Sequence, residues 1–193
     1  MSTPRILAFG GSLRRDSFNQ KIAVLAAAGA REAGAEVTVI ELRDYPLPLF
    51  DQDLEAASGL PSEAKKLKEL FLKSDGLIIA SPEYNSSVTA ALKNAIDWIS
   101  RAESPDEPPI AALSGKTALI LSASPGGLGG LRGLVHLRSI LGNLGIIVLP
   151  DQIAIPAAYE AIKPDGTLSD PKQTEKVKQL GAKLTDHLKK LLA

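Results

Sequence analysis

Cysteine is absent from this 193-residue chain, and that absence excludes several kinds of chemistry at once. A chain without cysteine has no disulfide, no thiolate nucleophile, no iron–sulfur cluster and no cysteine-ligated zinc. Histidine is scarce as well, with only His136 and His187 present. The two lie far apart without acidic residues at ligand spacing, so we expect no metal site.

The chain also lacks an excess of positive or negative charge, and it has no long apolar run at its start. Twenty-two basic residues balance 22 acidic ones, giving a formal net charge of zero. Proteins that bind nucleic acid usually carry a basic excess, so we expect no nucleic-acid partner. The apolar residues before Gly10 are too few for a signal peptide or a membrane span. We therefore expect no membrane partner and a cytoplasmic location.

What is present is the composition of an ordinary globular protein. Hydrophobic residues make up 45% of the chain and charged residues 23%, which is ordinary for a folded domain in water. A chain of this length fits one domain with a sizeable core. We therefore expect residues 1–193 to form a single domain.

Apolar segments alternate with amphipathic ones along the whole chain. The predicted strands are Ile6–Phe9, Glu36–Leu42, Gly76–Ala80, Lys116–Ser122 and Ile146–Leu149. The predicted helices are Asn19–Ala33, Pro61–Lys73, Val88–Ala102, Leu131–Leu144 and a last one beginning after Asp170, with an irregular segment at Pro150–Pro156. This alternation predicts an α/β fold, a three-layer doubly wound five-stranded parallel sheet in the order 2-1-3-4-5.

The first strand leads into a segment suited to binding an anion. The sequence ILAFGGSLRRDSFN predicts a strand that ends at glycines and continues as a helix, whose first amides lack partners within the helix. Ser12 and Ser17 add hydroxyl donors, Asn19 an amide and Arg14 a planar charged fork. We call residues 12–19 the phosphate cradle. The alternative is a capped strand-to-helix turn with surface arginines.

Two further loops follow predicted strands and should meet the cradle at one edge of the sheet. These are Pro82–Asn85 and the glycine-rich loop Ser122–Gly130. In doubly wound sheets, ligands bind beyond the carboxyl ends of the strands, at the point where the strand order reverses. The cradle has room for one phosphate, Tyr84 offers an aromatic face to a flat ring, and the glycine-rich loop allows the backbone to approach that ring closely. Together these features favour flavin mononucleotide (FMN) as the ligand.

The same segments carry a resemblance to a known family. The motifs are GSLRRDSFN, LPLFDQD, SPEYNSSVTAALKNAIDWIS and SASPGGLGG. They resemble the NADPH-dependent FMN reductase family, in its chromate and quinone reductase branch, from about Ile6 to Leu149. The resemblance implies a flavodoxin-like fold, bound FMN, NADPH or NADH as hydride donor, and a homodimer or homotetramer.

The resemblance also implies roles for particular residues. Those expected to hold the FMN phosphate and ribityl chain are Ser12, Arg14, Ser17, Phe18 and Asn19. Those expected to approach the isoalloxazine ring are Pro82, Glu83, Tyr84 and Asn85, with Ser122, Ala123 and Ser124 from the fourth strand. We expect the chemistry to occur on the flavin, with no catalytic residue in the protein. We expect Glu83 to be an exposed turn residue, and Asp16 to face solvent and pair with Arg15.

The predicted function is therefore an NAD(P)H-dependent oxidoreductase. It would pass hydride through FMN to quinones, azo compounds or oxidised metal ions such as chromate. The alternatives are a flavodoxin-type electron carrier without its own NADPH turnover, and a flavin-free binding module that kept only the fold.

Overall fold

A computed structural model describes residues 2–193 and contains one five-stranded parallel sheet. Its strands are β1 (Arg5–Gly10), β2 (Glu36–Val39), β3 (Gly76–Ala80), β4 (Thr117–Ala123) and β5 (Ile147–Ile155). Their order is β2-β1-β3-β4-β5, and each neighbouring pair is parallel. The predicted class and strand order are confirmed.

Helices connect the strands on both faces of the sheet. They are α1 (Phe18–Glu32), α2 (Gln52–Ser58), α3 (Ser62–Leu72), α4 (Ala90–Ile99), α5 (Leu131–Asn143), α6 (Ala158–Ala161) and α7 (Pro171–Leu191). Within residues 2–193, every helix is too short or too polar to cross a membrane.

The alternation of side chains along β1 divides the core into two layers. Ile6 and Ala8 face the layer under α1 and α7. Leu7 and Phe9 face the opposite layer, under α3, α4 and α5. Because parallel strands are buried on both faces, they are apolar throughout, which is why their positions could be predicted.

The prediction of an irregular segment at Pro150–Pro156 is wrong. Strand β5 continues to Ile155, and its pairing with β4 shifts register between Ala118 and Ile120. Proline cannot donate to a ladder, but an edge strand with a bulge tolerates it. Pro150 lies in this bulged part of the edge strand.

Three smaller elements were not predicted, one of them the short helix α6 (Ala158–Ala161). The segment from Leu42 to Asp44 is a 3₁₀ turn, so β2 ends at Val39 instead of Leu42. Helix α2 buries none of its residues, so it has no apolar stripe from which it could be predicted. Asp51 caps it by accepting a hydrogen bond from the Asp53 amide.

Candidate functional site

The phosphate cradle lies where β1 ends and α1 begins, at the carboxyl edge of the sheet. Ser17 is the N-cap of α1, and its Oγ accepts from the Gln20 amide at 3.3 Å. The Phe18 and Asn19 amides lie in the first turn, where the helix offers them no acceptor. That turn, all of it within the described residues, carries no acidic side chain. The positive end of the helix dipole is therefore available to an external anion.

Both serine hydroxyls of the cradle accept hydrogen bonds from the backbone. Ser17 accepts from Gln20, and the Ser12 Oγ accepts from the Arg14 amide at 3.2 Å. A hydroxyl that accepts through its oxygen keeps its proton to donate elsewhere. The Arg14 guanidinium lies over the Phe18 ring, 5.8 Å from its centroid. Phe18 is buried and thereby supports this exposed cation.

The side chain of Asn19 is bound to the protein instead of pointing into the cradle. Its Nδ2 donates to the Ala123 carbonyl at 2.8 Å, and its Oδ1 accepts from the Ala123 amide at 2.9 Å. Both ends of the amide are therefore engaged by β4. What Asn19 offers the cradle is its backbone N–H, while its side chain fixes the start of α1 against β4.

Asp16 faces solvent as expected, but its predicted partner is wrong. It pairs with Lys21 at 2.5 Å and not with Arg15. The hydrogen bond from Lys21, reinforced by its charge, holds the Asp16 pKa below its ordinary value. The carboxylate is therefore drawn towards the side of α1.

The loop after β3 ends in a tight turn. The Tyr84 amide donates to the Ser87 carbonyl at 3.0 Å, and the Ser87 amide donates back at 3.1 Å. Asn85 and Ser86, between them, have φ of 50° and 66°. Two successive left-handed residues define a type I′ turn, which is uncommon without glycine. Asn85 therefore lies at the tip of the turn, and Tyr84 is left 53% exposed beside the cradle.

The prediction that Glu83 is an exposed turn residue is wrong. Only 7% of its side chain is exposed. It accepts from Arg132 Nε at 2.8 Å and from the Gly133 amide at 3.1 Å. Burial by itself raises the Glu83 pKa, but the Gly133 N–H and the Arg132 guanidinium outweigh it, so the pKa is lowered. No sequence signal links Glu83 to Arg132, which is 49 positions away.

The end of β4 contributes fewer side chains than predicted. Ser122 is fully buried, and its Oγ donates to the Ser81 carbonyl at 2.7 Å, so it braces β3 against β4. Ala123 and Ser124 reach the site. In the glycine-rich loop, Gly130 has φ +91°, and a Cβ there would lie 1.9 Å from Ser122 Oγ. Gly130 therefore serves close packing against β4.

Two adjoining cavities occupy this edge of the sheet and share Ser12, Arg14 and Tyr84. The first, of about 70 Å³, is lined by Ser12, Arg14, Ser17, Phe18, Asn19, Pro82, Glu83, Tyr84, Ala123, Ser124 and Pro125. It gathers every predicted cofactor residue except Asn85 and Ser122. The second, of about 370 Å³, extends past Leu13 to the start of α4. Neither Pro125 nor this wider space was predicted.

These features fit a phosphorylated ring compound such as FMN. The cradle supplies hydroxyl, amide and guanidinium donors at a helix N-terminus, which suit a phosphate. An exposed tyrosine and a backbone turn lie beside it, and they suit the flat polar edge of a ring. A parallel sheet in the order 2-1-3-4-5 with this site at its switch point defines a flavodoxin-like mononucleotide-binding protein.

Comparison with known proteins gives the family. The model of the NADPH-dependent FMN reductase family matches residues 4–160, and the chain belongs to this family. It is 38% identical to the quinone reductase of Escherichia coli over 148 residues, which cover 75% of this chain and 73% of that protein. It is 36% identical to an NAD(P)H-dependent FMN reductase of Pseudomonas aeruginosa over 176 residues, covering 91% and 90% of the two chains.

A solved structure agrees with these relatives. The flavoenzyme NAD(P)H:(acceptor) oxidoreductase from Paracoccus denitrificans superposes with a TM-score of 0.80 at 27% identity, covering 97% of this chain and 98% of that one. The chain is therefore an oxidoreductase of the FMN- and NAD(P)H-dependent kind. The predicted family, enzyme class and cofactors are confirmed.

Proposed function

We propose that the protein is an NAD(P)H:quinone oxidoreductase that passes hydride through bound FMN to a small quinone. The observation that carries the proposal is the meeting of the phosphate cradle and the Pro82–Asn85 loop at the switch point of the sheet. The choice of a quinone is supported by the name of the relative from Escherichia coli.

We assign the FMN phosphate to the cradle. The Ser12 and Ser17 hydroxyls, the Phe18 and Asn19 amides and the Arg14 guanidinium would bind it by charge-assisted hydrogen bonds. Arg14 is exposed, so it has freedom to turn towards an anion. Phe18 supports the guanidinium from behind.

We assign the isoalloxazine ring to the loops beside the cradle. Pro82, Glu83 and Tyr84 would shape one side, chiefly through the backbone, and Ala123 and Ser124 the other. Asn85, outside that cavity, would approach the ring from the tip of the turn. When bound, FMN supplies the hydride-accepting and electron-transferring chemistry. The protein's part is to bind, orient and exclude water, and we assign no catalytic acid or base.

NADPH oxidation by the FMN-loaded protein tests this function. We expect rapid NADPH consumption when a benzoquinone is present, with one quinone reduced for each NADPH oxidised. A flavodoxin-type carrier would consume NADPH only when a separate reductase is added. That result would refute the proposed enzyme and favour the alternative.

Arg14→Ala tests the assignment of the phosphate. We expect it to weaken FMN binding by about 1.5–3 kcal/mol, because a charge-assisted hydrogen bond is lost. Fluorescence titration of the apoprotein with FMN measures the change. Arg15→Ala is the matched control, because Arg15 adjoins Arg14 but does not line the cavity that the cradle shares with the Pro82–Asn85 loop. Equal dissociation constants for Arg14→Ala and the unaltered protein would contradict the assignment.

We also propose that the protein forms a homodimer or a homotetramer. Leu128, Leu131 and Val135, in and just before α5, leave 53%, 43% and 61% of their surfaces exposed, and a second copy would cover them. Light scattering should give a mass that is two or four times 20.3 kDa. A monomer at micromolar concentration would contradict this assembly.

We further propose that the protein is located in the cytoplasm. Cell fractionation tests this location.

A further inference from the structure

We propose that Glu83 is a positioning residue, which caps α5 from outside that helix and thereby holds the Pro82–Ser87 turn against the flavin. This inference rests on the proposed function, which assigns the turn to the isoalloxazine ring. Under this inference the buried carboxylate of Glu83 has a structural role in the site and does not transfer protons.

The start of α5 needs a cap that its own sequence does not supply. Its N-cap is Gly130, a residue without a side chain. A Ser, Thr, Asp or Asn N-cap would accept a hydrogen bond through its side chain from the second or third helical amide. Here the Glu83 carboxylate accepts from Gly133, the third residue of α5, at 3.1 Å. An acidic group at this position also interacts favourably with the helix dipole.

Arg132 closes the other side of the carboxylate. Its Nε donates to Glu83 Oε1 at 2.8 Å, and its Nη2 donates to the same oxygen. The Arg132 side chain is 58% exposed, whereas that of Glu83 is 7% exposed. The guanidinium therefore covers the carboxylate from the solvent side. A buried carboxylate is stable only while such partners remain.

A second contact joins the far end of the turn to the next turn of α5. The Ser87 hydroxyl lies 2.9 Å from His136 Nδ1. A Cβ at Gly133 would lie 3.2 Å from the Ser87 carbonyl and 3.4 Å from Glu83 Cβ, so the turn packs directly on the helix. Helix α5 thus holds the turn at both ends.

The residues between these two contacts need such support. Asn85 and Ser86 have positive φ, a conformation that costs energy outside glycine and persists when the surroundings enforce it. Tyr84, next to them, is the exposed aromatic residue of the site. Loss of either contact should let the turn relax and displace Tyr84 and the backbone beside it.

Glu83→Gln in the full-length protein tests the inference. Glutamine keeps the shape and can accept from Gly133, but it loses the ion pair with Arg132. We expect the FMN dissociation constant to rise about tenfold, the scale of a lost charged hydrogen bond. We also expect a shift of the flavin absorption band and of its reduction potential. Arg132→Gln should give the same changes, and the double variant should be no worse than either single one.

Asp75→Asn is the matched control. Asp75 binds Arg5 through the backbone amide and the guanidinium at the opposite, amino edge of the sheet. It should lower stability while leaving the FMN constant and spectrum of the folded protein unchanged. An Asp75→Asn effect on FMN equal to that of Glu83→Gln would overturn the inference, because general destabilisation would then explain both.

A rate effect alone would also overturn it. If Glu83→Gln slows quinone reduction while FMN affinity, spectrum and potential stay unchanged, Glu83 transfers a proton instead of holding the turn. Failure of the proposed function is distinguishable, because the unaltered protein itself would then either bind no FMN or bind it without oxidising NADPH in the presence of the quinone.

Discussion

Ser17→Asp should weaken FMN binding by roughly a thousandfold while leaving the protein as stable as before. Ser17 caps α1 by accepting from the Gln20 amide, and aspartate is an equally good N-cap residue. The fold therefore keeps its cap. A carboxylate about 4 Å from a phosphate, however, costs about 4 kcal/mol at the dielectric typical of protein surfaces, or roughly a thousandfold in affinity.

Fluorescence titration with FMN measures the affinity of the variant, and thermal unfolding of the apoprotein measures its stability. Ser17→Asn is the control, because asparagine caps as well as aspartate does but adds no charge. It should bind FMN far more tightly than Ser17→Asp. Comparable FMN affinities for the aspartate and asparagine variants would show that the phosphate is bound somewhere other than at Ser17.

Gly181→Ala should destabilise the protein strongly, although it adds only one methyl group. Gly181 lies where α7 crosses α1, and a Cβ there would lie 1.9 Å from the Ala26 carbonyl oxygen. A Cβ at the reciprocal position, Gly29, would lie 2.0 Å from the Lys178 carbonyl oxygen. Because both obstacles are backbone atoms, the helices must move apart. Thr185, bonded to the Ala30 carbonyl in the same contact, would be disturbed as well.

We expect a loss of about 3 kcal/mol in the free energy of unfolding, the upper range for overpacking a core. The melting temperature should fall by roughly 10 °C in a domain of this size. Gly142→Ala is the control, because a Cβ at that helical glycine meets nothing within 4 Å. It should raise stability by up to about 1 kcal/mol. A Gly181→Ala protein as stable as the unaltered one would refute the close approach of α1 and α7.

The strands and their order could be predicted because burial on both faces leaves a continuous apolar signature. β3 and β4 are buried along their whole length. β5 was predicted to end too early, since its signal is interrupted by Pro150 and by a bulge that only the pairing with β4 reveals. Helix α2 gave no signal, because it packs none of its residues into the core.

The candidate site was predictable where its residues are close in sequence. The phosphate cradle directly follows a strand and two glycines and leads into a helix, so its capacity to bind an anion could be predicted from one continuous segment. The role of the Asn19 side chain was not predictable, because it binds Ala123, 104 positions away. Glu83 was misjudged for the same reason, since its partners lie on α5. Turn residues are generally exposed, and only tertiary packing shows the exception.

An anaerobic absorbance titration of the purified protein tests the central claim most directly. The protein is loaded with FMN, NADPH is added without oxygen, and a benzoquinone follows. We predict that NADPH bleaches the flavin band and that the quinone restores it. A flavin band that stays oxidised under excess NADPH, or a protein that retains no FMN after loading, would contradict the claim.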